Sequence, residues 1–188
     1  MRSKSFRPSA ILIRHPLSIL AFLIPVLLIL ALFSRYGTAE TLSEATVIRF
    51  HDGDTVTLKM DGRAYRTRLI GIDAPEMGQE PWGKMSRTYL RRVLQENNGR
   101  VLVETDVVKL DKYNRLLVYL WTPDRRDMIN ERMLRDGYAV LFTIQPNSRY
   151  AGRFVDAQRS AKKAGTGIWG PEGLKELPRD YKKTHPRM

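Results

Sequence analysis

The most constraining feature of this chain is an alternation that folds back on itself. Val56, Leu58 and Met60 alternate with Thr55, Thr57 and Lys59, the pattern of a half-buried strand. Asp61-Gly62 follows, a pair suited to a two-residue hairpin because both turn positions need positive φ. Arg63–Ile72 then reads as the return strand, and Thr46–Phe50 as a shorter strand upstream, set off by Asp52-Gly53. An isolated hairpin is at best marginally stable, so later segments must complete a sheet and cover it.

They do so with a change of period. Trp82, Met85, Tyr89, Leu90 and Val93 fall on one helical face, and Asn97-Asn98-Gly99 stops that helix. Val101–Asp106 and Leu116–Trp121 read as two further strands, and Met128–Asp136 as a short helix ended by Gly137. The last helix is expected over Arg149–Lys163, with Tyr150, Phe154, Ala157 and Ala161 on its apolar face, followed by an Ile168-Trp169 anchor. The fold class is α+β, mostly β, with a small antiparallel sheet. Five short strands with helices suit a nearly closed barrel, and an OB-fold is the leading candidate.

Composition narrows the chemistry. The 188 residues include no cysteine and three histidines, His15, His51 and His185, none in a ligand spacing. This excludes a disulfide framework, a thiol nucleophile and a Cys-ligated zinc site, and disfavours a Ser-His-Asp triad. The net charge is +12. Five basic residues and no acid precede residue 40, so residues 40–188 carry 27 basic and 20 acidic side chains, a net +7. A surplus of that sign favours polyanions through counterion release.

The N-terminal residues 1–39 read as a targeting segment, either a signal peptide or a membrane anchor. The uncharged run Leu17–Phe33 stands between Arg14 and Arg35. As a helix it would span roughly 25 Å, a little less than the ~30 Å hydrocarbon core. Gly37-Thr38-Ala39 offers small residues for cleavage near Ala39. Either reading exports the remainder, leaving it secreted or anchored facing the periplasm or outside. Residues 40–170 form the expected domain and 171–188 a basic C-terminal tail.

Four acids, Asp52, Asp54, Asp73 and Glu76, cluster near the first hairpin, with Arg68 and Arg115 in company. Singly, each has a bland reading as a turn residue or a surface ion pair. Together they supply oxygen ligands for a hard cation, two forks for a phosphate and a general base. Hairpin arithmetic does not assemble them. A turn at Asp61-Gly62 pairs residues whose numbers sum to 123, placing Asp54 opposite Leu69 and Arg68 on the other face. Asp73 would then fall opposite Phe50, ~13 Å from Asp54 along a regular strand. A bulge or strong coiling has to intervene. The stretch Gly78–Lys84 matches most of a phosphate-binding loop, but Met85 stands where Ser or Thr is needed and no strand leads into it.

Three segments carry a resemblance: His51-Asp52-Gly53-Asp54-Thr55-Val56, Thr67–Glu76 (TRLIGIDAPE) and Leu110-Asp111-Lys112-Tyr113-Asn114-Arg115. In order and spacing they resemble the signature blocks of the thermonuclease, or staphylococcal-nuclease-like, family. The likeness covers about residues 44–170. It implies a five-stranded OB-fold barrel with three helices. It implies Ca²⁺ held by Asp54, Asp73 and the backbone carbonyl of Ala74, with Arg68 and Arg115 on the scissile phosphate. Glu76 would activate water, and Lys112 and Tyr113 would lie near a terminal phosphate. The implied substrates are DNA and RNA, cut to leave 3′-phosphate ends. No protein partner is called for, and a monomer is expected. The competing reading is a catalytically inactive nucleic-acid-binding OB module.

Overall fold

The computed structural model describes residues 42–186. The targeting segment expected over residues 1–39 lies outside them. Among the described residues no helix is long and apolar enough to cross a membrane.

The hairpin forms as its sequence requires. Strands β1 (Ser43–Phe50), β2 (Thr55–Met60) and β3 (Arg63–Leu69) run as an antiparallel meander. Asp61 and Gly62 take φ of 47° and 77°, a positive pair that matches the twist of the flanking strands. Thr55 faces Arg68 and Met60 faces Arg63, the register that the turn position dictates. The sheet continues through β5 (Arg100–Glu104) and β6 (Leu116–Trp121), and the order β1-β2-β3-β6-β5 closes into a barrel. The β3–β6 pair is parallel, where an antiparallel sheet was expected. The three-residue overlap joins strands far apart in sequence, which closure makes possible. Val56, Leu58, Leu69, Val118 and Leu120 fill the interior at 1% exposure or less.

The expected return strand Arg63–Ile72 breaks. It ends at Leu69, and Gly71–Asp73 forms a separate strand, β4. Gly71 has φ of 80°, and a Cβ there would lie 2.3 Å from the Phe154 ring. Only glycine turns the chain at that point under the helix above it. A buried side chain holds the break. Asn130, with no exposed surface, donates to the carbonyls of Ile70 and Val118 at 2.9 and 3.1 Å and accepts from Leu120 N at 2.9 Å. Strand β4 pairs with β7 (Val140–Phe142) instead of continuing along β2.

The helices are α1 (Trp82–Gln95), α2 (Ile129–Arg135), α3 (Ala151–Ala164) and α4 (Pro178–Thr184), with a 3₁₀ turn at Gly167–Trp169. In α3, Phe154, Ala157 and Ala161 are buried as expected. In α1 the buried face is rotated from the expected one. Met85 is 40% exposed while Gly83 and Ser86 are buried. Small residues admit the close approach of the 76–77 backbone and of the Tyr138 carbonyl, which accepts from Ser86 Oγ. The stretch beyond residue 170, expected as a basic tail, contains α4 and folds back over the start of α1. Trp82 Nε1 donates to the carbonyl of Glu172 at 3.1 Å.

Candidate active site

The break at Gly71 brings the acids together. Asp54 stands just before β2 and Asp73 ends β4, and both carboxylates are buried, at 2% and 1% exposure. Asp54 Oδ2 accepts from the backbone N–H of Ala74 at 2.7 Å, a bond across twenty residues. Asp54 Oδ1 accepts from Thr55 Oγ1 at 3.0 Å. The Arg68 guanidinium joins the two carboxylates. Its Nη1 pairs with Asp54 Oδ1, and its Nη2 donates to Asp73 Oδ1 at 2.7 Å and to the Ile72 carbonyl at 3.1 Å. Regular pairing would have kept Arg68 and Asp54 on opposite faces. They meet because Asp54 lies outside the pleated strand and the long arginine side chain reaches the strand end.

Glu76 is held next to this pair by its backbone. Its N–H donates to Gln79 Oε1 at 2.9 Å and its carbonyl accepts from Gln79 N at 2.8 Å. Its carboxylate lies 3.2 Å from Lys182 Nζ, and the same ammonium is 2.7 Å from Asp73 Oδ1. Lys182 was no part of the expected set. Three lysines stand between residues 175 and 183, and nothing in the sequence marks one of them.

Arg115 arrives by a different route. The loop before β6 winds around the Asp111 carboxylate. Asp111 Oδ1 accepts from the backbone N–H groups of Tyr113 and Arg115, both at 2.9 Å. Asp111 Oδ2 accepts from Arg115 Nε at 2.7 Å. Asn114 takes φ of 59°, a left-handed geometry that asparagine tolerates. Burial, the largest single influence, pushes the Asp111 carboxyl up, but these hydrogen bonds together outweigh it and hold it below its ordinary value. The Tyr113 ring is 68% exposed, with Lys112 Nζ and the Arg115 guanidinium 5.1 and 5.4 Å from its centroid.

Arg68, Asp73, Glu76, Lys112, Tyr113 and Arg115 line one cleft of about 920 Å³. Asp52 lines it too, whereas the buried Asp54 and Ala74 are not among its lining residues. Phe142 and Ile144 supply apolar surface to the lining, and Arg179, Tyr181, Lys182 and His185 come from the C-terminal segment. Trp82 lies apart from the cleft, and Tyr119 is a core residue at 1% exposure.

The donor chemistry fits a hard cation. Two buried carboxylates stand side by side, and their charge is met here by a guanidinium and an ammonium. Among the described residues no group of three or more His, Cys, Asp or Glu is placed to hold a metal ion. A cation at this pair would complete its shell with backbone oxygen and water, as oxygen-seeking dications do.

Comparison with known proteins agrees with this arrangement. The model of the staphylococcal nuclease homologue family matches residues 66–171. A thermonuclease of Staphylococcus hyicus is 35% identical over 128 residues, covering 65% of this chain and 73% of the relative. A thermonuclease of Staphylococcus intermedius is 34% identical over 142 residues, covering 73% and 82%. An SPbeta prophage-derived endonuclease of Bacillus subtilis is 29% identical over 141 residues, covering 71% of this chain and 46% of the relative. The family match takes in the break at Gly71, Asp73, Glu76 and the Asp111–Arg115 loop, and it ends before α4. With more than half of its length matched, the chain belongs to the staphylococcal nuclease family.

Proposed function

We propose that this chain is a calcium-dependent nuclease that hydrolyses phosphodiester bonds of DNA and RNA. The observation that supports it best is the convergence of Arg68, Asp73, Glu76 and Arg115 on one cleft. The names of the relatives, two thermonucleases and an endonuclease, point the same way.

In this reading Arg68 and Arg115 approach a phosphate as planar forks and stabilise the charge that grows on its non-bridging oxygens. Glu76 takes a proton from the attacking water. The water oxygen bonds to phosphorus as the bond to the 5′-oxygen breaks, leaving a 3′-phosphate and, once the departing oxygen takes a proton from solvent, a 5′-hydroxyl. Lys112 and Tyr113 hold a terminal phosphate at the outer end of the cleft. Asp54, Asp73 and the Ala74 carbonyl would hold Ca²⁺, which supplies positive charge against the phosphate when bound. Retention of every side chain in this set favours catalysis over an inactive binding module. Export is part of the proposal, resting on the run Leu17–Phe33 behind basic residues. The mass of the mature N-terminus tests it.

Digestion of single-stranded DNA with added Ca²⁺, and with excess chelator, tests the central reading. Cleavage is expected with Ca²⁺ and lost in chelator. Equal cleavage in both removes the metal, and no cleavage in either leaves the binding-module reading.

A further inference from the structure

Helix α4 delivers a cation to the centre of the site. Lys182 Nζ lies 2.7 Å from Asp73 Oδ1 and 3.2 Å from Glu76 Oε1. The contact with Asp73 spans 109 residues. Asp73 is nearly inaccessible, so the ammonium covers a face of that carboxylate which a dication would need.

The segment is fitted to this place. Gln79, whose side-chain oxygen accepts from Glu76 N, donates through Nε2 to the Glu176 carbonyl at 2.9 Å. The same glutamine therefore holds both the Glu76 loop and the incoming strap. Trp82 Nε1 binds the Glu172 carbonyl. Tyr181 sets its hydroxyl 2.5 Å from where a Cβ on Gly78 would stand, so the strap rests against a residue without a side chain. The strap is nevertheless lightly held. Pro178 is the one buried residue of α4, and Lys182 itself is 40% exposed. Segments with so few buried apolar contacts open at low cost.

We infer that Lys182 is an internal competitor for the divalent cation, so that the cation binds Asp73 as the α4 strap leaves it. This rests on the proposed reading of Asp73 as a cation ligand and Glu76 as the general base. An ammonium and a dication repel, and both draw their binding from the same carboxylate oxygens. Linkage makes the effect reciprocal: a strap that weakens cation binding is itself loosened by the cation. Lys182 thereby sets the calcium concentration at which the site loads. It also covers Glu76 until then.

The test uses the full chain without nucleic acid. Calorimetric titration with CaCl₂ compares wild type, Lys182→Met and Lys183→Met. Lys183 lies one residue on, 73% exposed and paired with Asp180, and its variant controls for the loss of one charge. Lys182→Met is expected to bind Ca²⁺ about tenfold tighter than wild type, within the usual range of such couplings. Lys183→Met is expected to match wild type. Hydrogen exchange of residues 172–186 is expected to quicken when Ca²⁺ is added to wild type. Equal or weaker binding by Lys182→Met, an equal gain in Lys183→Met, or unchanged or slowed exchange would overturn the inference and leave the calcium site standing. No Ca²⁺ binding by any of the three overturns the calcium reading itself, and this inference with it.

Discussion

The two arginines of the cleft are held by opposite means. Arg115 depends on its neighbours: Asp111, four residues earlier, binds its guanidinium and its backbone N–H. Arg68 depends on the whole fold. Its partners are Asp54, fourteen residues before it, and Asp73, beyond the chain break that Gly71 and Asn130 hold. One half of the site is thus a local motif carried on a loop, and the other exists only when the barrel is closed. The two halves are expected to count alike for activity and unequally for stability.

The sharpest way to break this contrast is to remove each guanidinium in turn. Arg68→Met and Arg115→Met are each expected to lower turnover by about 10²–10³-fold, as for loss of one donor to a developing anion. Arg68→Met also takes the guanidinium from the buried Asp54 carboxylate and leaves Asp73 with Lys182 as its cation, and is expected to cost about 3–5 kcal/mol of stability. Arg115→Met leaves the Asp111 bonds to backbone N–H groups and is expected to cost under about 1 kcal/mol. Urea unfolding of both variants checks the difference, and equal losses would erase the distinction between the halves.

Asn130→Ala attacks the tertiary half without touching the cleft. It leaves the Ile70 carbonyl and the Leu120 N–H unpaired in the core, an expected loss of about 3 kcal/mol by urea unfolding. Cleavage at low denaturant should fall with it, because Asn130 holds the break that aims Asp73. Glu76→Gln keeps the hydrogen-bonded backbone of its loop and removes the proton acceptor. Turnover is expected to drop about 10²-fold with KM nearly unchanged, and near-normal turnover would take the base role from Glu76.

The smallest effect is on the local half and appears in acid. The Asp111 carboxyl is held below its ordinary value of 3.8. A carboxyl lowered on folding adds stability that is complete above the unfolded value and is lost as pH falls through the folded one. The stability difference between wild type and Asp111→Asn is therefore expected to be present at pH 6 and to shrink below pH 3.8. A difference that stays constant down the titration would mean that the carboxylate charge does not organise the loop.

Much of this division can be read along the chain. The hairpin register follows from Asp61-Gly62, whereas the Asp111–Arg115 loop was marked in the sequence by its resemblance to a family block, and its hydrogen bonds came from the structure. Helix α3 follows from the spacing of Phe154, Ala157 and Ala161. Alternation misled only where it ran on through Ile70 and Gly71. Hydrophobic residues there satisfy a strand pattern, while the positive φ and the Phe154 ring that require glycine arise elsewhere in the fold. The buried face of α1 was misplaced for a related reason. Periodicity weighs Met85 as apolar and Ser86 as polar, but contact distance to the Tyr138 carbonyl favours the smaller side chain.

By itself, the order of residues determined which short segments form and which charged groups are available. The β2–β3 hairpin pairing, its turn geometry and the Asp111 loop each act within a short stretch of chain, and such interactions are written locally. Only the tertiary structure decided that Asp54, Arg68 and Asp73 meet, that Asn130 keeps the chain broken between two strands, and that one lysine of the C-terminal segment reaches the acids. Those contacts join residues up to 109 positions apart. They exist because the packing of the barrel, the β4–β7 pair and the C-terminal helix brings distant segments together, and no local pattern encodes that meeting.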